Sequence, residues 1–205
     1  MLLSNKILKT LRFIRIYGLS RTCIKILGRM RINLPLSLLF RFPKFSRNGK
    51  TIGFIGCGHH TFSSLAFFIS KFSNAKILWA YDVDEKAQEK LIRTYNILNS
   101  THFRNLDDYT KPDIVYIVSN HSSHSKYALK YLKQGCDVYI EKPLCVSFDE
   151  LQLLKNFKEN NKNKIYAGYN RPFSSAINLL KLELINYRDL PMTISYFVIG
   201  HKIPL

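Results

Sequence analysis

The chain has 205 residues and a formal net charge of +17, and 46% of it is hydrophobic, including 14 Phe and 12 Tyr. That length and apolar content build a folded globule with a sizeable core and exclude a disordered chain. Residues 1–50 hold 12 Lys and Arg and no Asp or Glu, leaving 19 basic against 14 acidic residues beyond them; the excess is an N-terminal feature, and the absence of a base-reading module argues against specific nucleic-acid binding.

The first segment, "MLLSNKILKTLRFIRIYGLSRTCIKILGRMR", sets Leu3, Ile7, Leu11 and Ile14 at helical spacing, with Lys6, Lys9, Arg12 and Arg15 recurring every third residue. Two readings stay open: a helix lying on anionic lipid headgroups, or a helix packed on the protein's own body with a solvated basic face. The densest apolar run, "INLPLSLLFRF", is broken by Pro35 and Arg41 and falls well short of the roughly 20 residues a membrane span needs. No signal-peptide core follows the start, although an Arg-rich, acid-free beginning also suits a mitochondrial transit segment if the source is eukaryotic. Cys23, Cys57, Cys136 and Cys145 form no CxxC pair and read as reduced thiols, which points to the cytoplasm and to no metal site.

"FPKFSRNGK" is a connector that ends the basic extension, residues 1–48. Beyond it, Thr51 to Gly56 predicts a buried strand, His60 to Lys71 a helix, and "AKILWAYDV" a second strand ending in Asp82. "DEKAQEKLIRTYNIL" predicts a helix with Asp84 as N-cap, "DIVYIVS" a strand, "SHSKYALKYLKQG" a helix closing on Gly135, and "CDVYIE" a strand. "FDELQLLKNFKENN" and "KIYAGYN" continue with a helix and a strand. This alternation implies an α/β fold, a Rossmann-type doubly wound parallel sheet over residues 49–170. Residues 171–205 add a helix, "SSAINLLKLELINY", and an extended strand, "MTISYFVIGHKIPL", which alone cannot bury its faces and whose open edge favours self-association.

In such sheets ligands bind at the carboxyl ends of the strands. Gly56 and Gly58 end the first strand where a backbone must turn tightly and approach a pyrophosphate, with Cys57, His59 and His60 completing the loop. Thr61 stands where G-x-G-x-x-G has its third small residue, so helix and strand are expected slightly further apart. Asp82, 24 residues after Gly58, ends the second strand where a carboxylate accepts both ribose hydroxyls of an adenosine. That carboxylate would repel a ribose phosphate and Val83 offers no Arg to receive one, so NAD is expected over NADP. A methyltransferase uses a similar loop, but usually after an acidic strand start, where this chain has Lys50 and Thr51.

The stretch "DIVYIVSNHSSHSKYALKYLKQGCDVYIEKPL" resembles the Gfo/Idh/MocA family, named for glucose-fructose oxidoreductase and inositol dehydrogenase. The match rests on the Ser119-Asn120 turn, His124 beyond it, the tripeptide Glu141-Lys142-Pro143, and "AGYNRPFSS" downstream. The resemblance implies a two-domain NAD(P)-dependent oxidoreductase moving hydride to or from a hydroxyl-bearing carbon of a sugar or cyclitol. Lys142 would then bind substrate and polarise the reacting oxygen, Glu141 would orient the nicotinamide side, and Ser119, Asn120 and His124 would shape the cofactor turn. Arg171 is the candidate substrate contact, and Pro172 stands where the family usually has a second Arg. The basic extension more loosely resembles the linker of some surface-polysaccharide oxidoreductases.

The family's second domain supplies a general base beyond its first strand, whereas this chain stops at "VIGHKIPL". The expectation is therefore a truncated, catalytically incomplete dehydrogenase; the alternative is a non-catalytic nucleotide-fold protein acting at a membrane surface or on a partner. "HSSH", His121 to His124, lies on a turn without a third ligand and is not expected to hold metal.

Overall fold

The computed structural model describes residues 2–30, 49–97 and 106–187. The chain divides into two compact units between Gly168 and Tyr169.

The first unit is built on five short strands, β1 (Thr51–Ile55), β2 (Lys76–Tyr81), β3 (Ile114–Ile117), β4 (Asp137–Ile140) and β5 (Ile165–Ala167), all parallel in the order β2-β1-β3-β4-β5. Consecutive strands cannot be joined by tight turns when they run parallel, so each link carries a helix. These are α3 (Ala66–Phe72), α4 (Glu85–Tyr95), α5 (His124–Lys133) and α6 (Phe148–Asn160). The strand order reverses between β1 and β3, which places a crevice at their carboxyl ends.

Strand residues alternate between two cores with a period of two, except at the register shift in β2 between Ile77 and Trp79. Ile52, Phe54, Ile77, Ala80 and Ile114 pack with Phe62, Phe67, Leu91, Ile92 and Tyr95 from α3, α4 and the turn before α3. Ile55, Val115, Ile117, Val138 and Ile140 face the other way, onto Ala128, Tyr131 and Leu132 of α5 and Leu154 of α6. Trp79 is fully buried in that second core, and its indole donates to the Thr110 carbonyl at 2.8 Å. Its ring lies over Gly53, where any Cβ would collide with it.

Helix ends follow local chemistry. Asp84 caps α4 by accepting from the Lys86 and Ala87 amides at 3.0 and 3.3 Å, as its sequence position predicts. Ser147 caps α6 through the Glu150 amide at 3.2 Å, while the Glu150 carboxylate reaches back to the Val146 amide at 2.9 Å, which holds that carboxyl below its ordinary range.

Three elements differ from expectation. The basic first segment is two helices, α1 (Leu2–Tyr17) and α2 (Leu19–Met30), broken at Gly18, whose φ of +83° no continuous helix accommodates. The helix expected from His60 begins at His59 and widens into a π turn over Thr61–Leu65 before α3. The final strand of the sheet is only three residues. Of the two readings of the basic segment, packing on the body describes α2: Ile24 is fully buried in the first core, and Arg21 donates to the Ser63 carbonyl and, at 3.1 Å, to the Ser64 hydroxyl. Lys90 of α4 returns a bond to the Leu27 carbonyl at 2.8 Å and sits over the Phe62 ring. In α1, by contrast, Ile7, Leu8, Leu11 and Ile16 are exposed.

In the second unit a short 3-10 turn, Arg171–Phe173, leads into α7 (Ser175–Leu184), capped by Ser174 accepting from the Ile177 amide. The expected strand "MTISYFVIGHKIPL" and most of the connector "FPKFSRNGK" lie outside the described residues.

Candidate dinucleotide site

The carboxyl ends of β1 and β2 bring the glycine loop and the acidic residue together. Gly56 leaves β1 with φ +94°, and a Cβ there would collide with the Val118 backbone, so only glycine makes this turn. At Gly58 a Cβ would meet nothing within 4 Å. No described protein atom demands that glycine, which stands open just before a helix start, where backbone amides generally favour phosphate. Asp82 is tied to the same loop, its Oδ2 accepting from the Cys57 amide at 2.6 Å and its Oδ1 from the Asp84 amide at 2.9 Å. Each carboxylate oxygen keeps lone-pair capacity for a ribose hydroxyl. Val83, 85% exposed, follows Asp82 and carries no cation.

Thr61, at the third small position of the motif, is fully buried. Its hydroxyl donates to the Gly56 carbonyl at 2.6 Å, so the polar group that replaces a small residue fastens helix to loop inside the widened turn. Cys57 is buried, and burial with the charges of Asp82 and Asp84 pushes its thiol well up, which makes it inert; its contribution is its backbone. His59 is pushed below the ordinary imidazole range, first by burial and then by the charges of Arg29 and Lys25 on α2, His60 and Lys90.

The carboxyl ends of β3 and β4 carry the remaining candidates. The Ser119 hydroxyl lies 2.7 Å from that of Ser123, and the Asn120 carbonyl accepts from the Ser123 amide at 3.1 Å, forming a 3-10 turn, His121–Ser123, before α5. His124, 1% exposed, spans two loops: Nδ1 is 2.7 Å from the Pro143 carbonyl and Nε2 is 3.1 Å from the Ser119 carbonyl. One ring thus joins the turn after β3 to the Glu141-Lys142-Pro143 segment after β4, a contact that sequence spacing does not reveal.

Glu141 accepts from the Tyr139 hydroxyl at 3.0 Å, and its Oε2 lies 3.5 Å from His60 Nε2, linking the tripeptide to the glycine loop. Burial and the Glu141 charge push the Tyr139 phenol up, keeping it a donor. Lys142 is exposed just beyond β4, and among the described residues its ammonium has no hydrogen-bond or ion-pair partner. Arg171 belongs to the second unit, on its 3-10 turn. Sequence reasoning missed Tyr139, Tyr116 stacked on it at 4.7 Å, and Arg21, because each acts through a tertiary contact rather than a motif. Among the described residues no cluster of His, Cys, Asp or Glu could hold a metal ion, and no helix is long and apolar enough to cross a membrane.

A parallel sheet with a glycine loop after β1 joined to an acidic residue after β2, beside the switch point, defines a dinucleotide-binding Rossmann domain. Residues 50–169 match the model of the oxidoreductase family with an NAD-binding Rossmann fold known as Gfo/Idh/MocA, and the chain belongs to that family. It is 28% identical over 138 residues to glucose-6-phosphate 3-dehydrogenase of Bacillus subtilis, covering 67% of this chain and 38% of that protein. Among solved structures it resembles myo-inositol dehydrogenase of Lactobacillus casei in complex with NAD(H) and myo-inositol, with a TM-score of 0.58 at 22% identity over 67% of this chain and 42% of that one. It also resembles the WlbA dehydrogenase of Chromobacterium violaceum in complex with NADH and UDP-GlcNAcA, with a TM-score of 0.62 at 17% identity over 73% and 43% of the two chains. At these identities the structural likeness establishes the fold. The chain spans about two fifths of the length of the curated relatives it matches.

Proposed function

We propose that this chain binds NAD and forms the nucleotide-binding part of a dehydrogenase that acts on a hydroxyl-bearing carbon of a sugar or cyclitol. The observation that carries the cofactor assignment is the pairing of an open Gly58 with Asp82 hydrogen-bonded to the same loop. Gly56, Cys57, Gly58, His59 and His60 surround the pyrophosphate, Asp82 receives the adenosine ribose and repels a ribose phosphate, and exposed Val83 offers no Arg to receive one, which favours NAD over NADP. The substrate class follows the relatives, whose names specify a hexose phosphate, an inositol and a nucleotide sugar. In this arrangement residues 1–48 are an extension, 49–170 the cofactor domain, and 171–205 the start of a substrate domain. Four free thiols suit the cytoplasm.

Bound NAD would supply the site of hydride gain or loss. The chain's own residues do the rest. The Lys142 ammonium stabilises charge that grows on the reacting oxygen, an interaction stronger in the transition state than in the ground state. Glu141, fixed by Tyr139, keeps the tripeptide in register with the glycine loop, while His124 holds the backbone around Lys142 against the Ser119-Asn120 turn. Arg171 is the further candidate for substrate contact.

Calorimetric titration with NAD and NADP tests the cofactor assignment. Asp82→Ala should weaken NAD binding about tenfold to a hundredfold, the loss expected for hydrogen bonds to a charged acceptor. Equal affinities for wild type and variant, or tighter binding of NADP than of NAD, would overturn it.

A further inference from the structure

The α1–α2 hairpin presents a surface that the cofactor site does not use. Its inner side is spent: Ile24 is fully buried, Leu27 and Gly28 lie against α4 and the Phe62 and His59 side chains, and Arg21 is bonded to the π turn. On α1, Ile7, Leu8 and Leu11, which helical spacing gathers on one side, are each more than half exposed, as are Ile16, Tyr17 and Leu19 around the hairpin turn. Arg12, Arg15 and Arg29 are exposed around them, together with Lys9, and residues 1–50 contain no acidic side chain to neutralise these cations. Water-facing leucines and isoleucines bordered by cations that pair with no acid among the described residues are complementary to a surface that is apolar beneath and negative on top.

We propose that the α1–α2 hairpin docks this protein on the surface of an anionic lipid bilayer, lying in the interface without crossing it. The apolar side chains of α1 enter the boundary between headgroups and acyl chains, while the arginines and lysines meet lipid phosphates and carboxylates. The sequence that follows α2 keeps the same character, with Arg31, Arg41, Lys44 and Arg47 and an apolar run between them. Because α2 is fastened to the helix that follows the glycine loop, docking also holds the cofactor domain in a fixed orientation to the bilayer. This does not depend on catalysis or on the identity of the dinucleotide.

The test is co-sedimentation of the full chain with phosphatidylcholine vesicles, with and without phosphatidylserine, at low and high salt. Binding should require phosphatidylserine and fall as salt rises. Arg12→Glu with Arg15→Glu should weaken it by about a hundredfold or more, since each reversal both removes an attraction and adds a repulsion. Ile7→Ser with Leu11→Ser should weaken it at low salt while leaving the fold, read by circular dichroism, unchanged. No vesicle binding, equal binding to neutral vesicles, or binding unaffected by either pair would overturn the proposal. So would a concentration-dependent dimer that buries these residues, or duplex DNA displacing the vesicles at equal charge.

Discussion

Gly56 and Gly58 stand two residues apart and are glycine for different reasons. Gly56 is demanded by the fold, through a φ of +94° and a Val118 backbone that a Cβ would strike, whereas no described atom demands Gly58, which the proposed pyrophosphate would. Gly56→Ala should therefore lower stability by at least about 2 kcal/mol in urea unfolding. Gly58→Ala should leave stability unchanged or raise it by about 0.5 kcal/mol, yet weaken NAD binding. His59 gives a pH signature. Its folded-state pKa lies below the ordinary imidazole value, so as pH falls below that value the unfolded chain takes up the proton first and stability is lost. A pyrophosphate bound at the proposed loop site would oppose this preference by favouring the imidazolium. NAD affinity should thus rise as pH falls through the mildly acidic range, with net proton uptake seen by calorimetry in buffers of different ionisation enthalpy; His59→Ala should abolish the uptake. At this scale Asp82 and the loop glycines were legible because strand, turn and acid follow a fixed spacing. His124 was legible only as a turn residue, since its bridge to Pro143 spans 19 positions.

At the scale of elements, the sheet was legible from the alternation of short apolar runs with amphipathic segments, and the Asp84 cap and the Gly135 helix end from residue type alone. The docking of α2 was not. Its inward side carries Arg21 and Gly28 as well as Ile24, so the pattern of charge could not say which side faced the protein. Ile24→Ala should cost about 2–5 kcal/mol in denaturant unfolding, the usual loss for a fully buried isoleucine; a cost under about 0.5 kcal/mol would mean that α2 is not part of the core. The π turn was equally hidden: it coincides with one local bond, Thr61 to the Gly56 carbonyl, and one tertiary bond, Arg21 to the Ser63 carbonyl, neither marked by a motif.

For the molecule as a whole, a charge of +17 invites a nucleic-acid reading until its distribution is considered. The acid-free extension carries much of the excess, and the family domain beyond it holds nearly balanced charge around a crevice whose ends carry Asp82, Glu141 and Lys142. The central claim is that this crevice takes a dinucleotide at the Gly56 to Thr61 loop. Amide-resolved hydrogen exchange with and without NAD tests it most directly, because the loop amides and those beside Asp82 must change together. The account predicts slowed exchange at Gly58 to Thr61 and at Val83 to Glu85, absent in Gly58→Val. No slowing at saturating NAD, or slowing confined to residues outside these two segments, would contradict it.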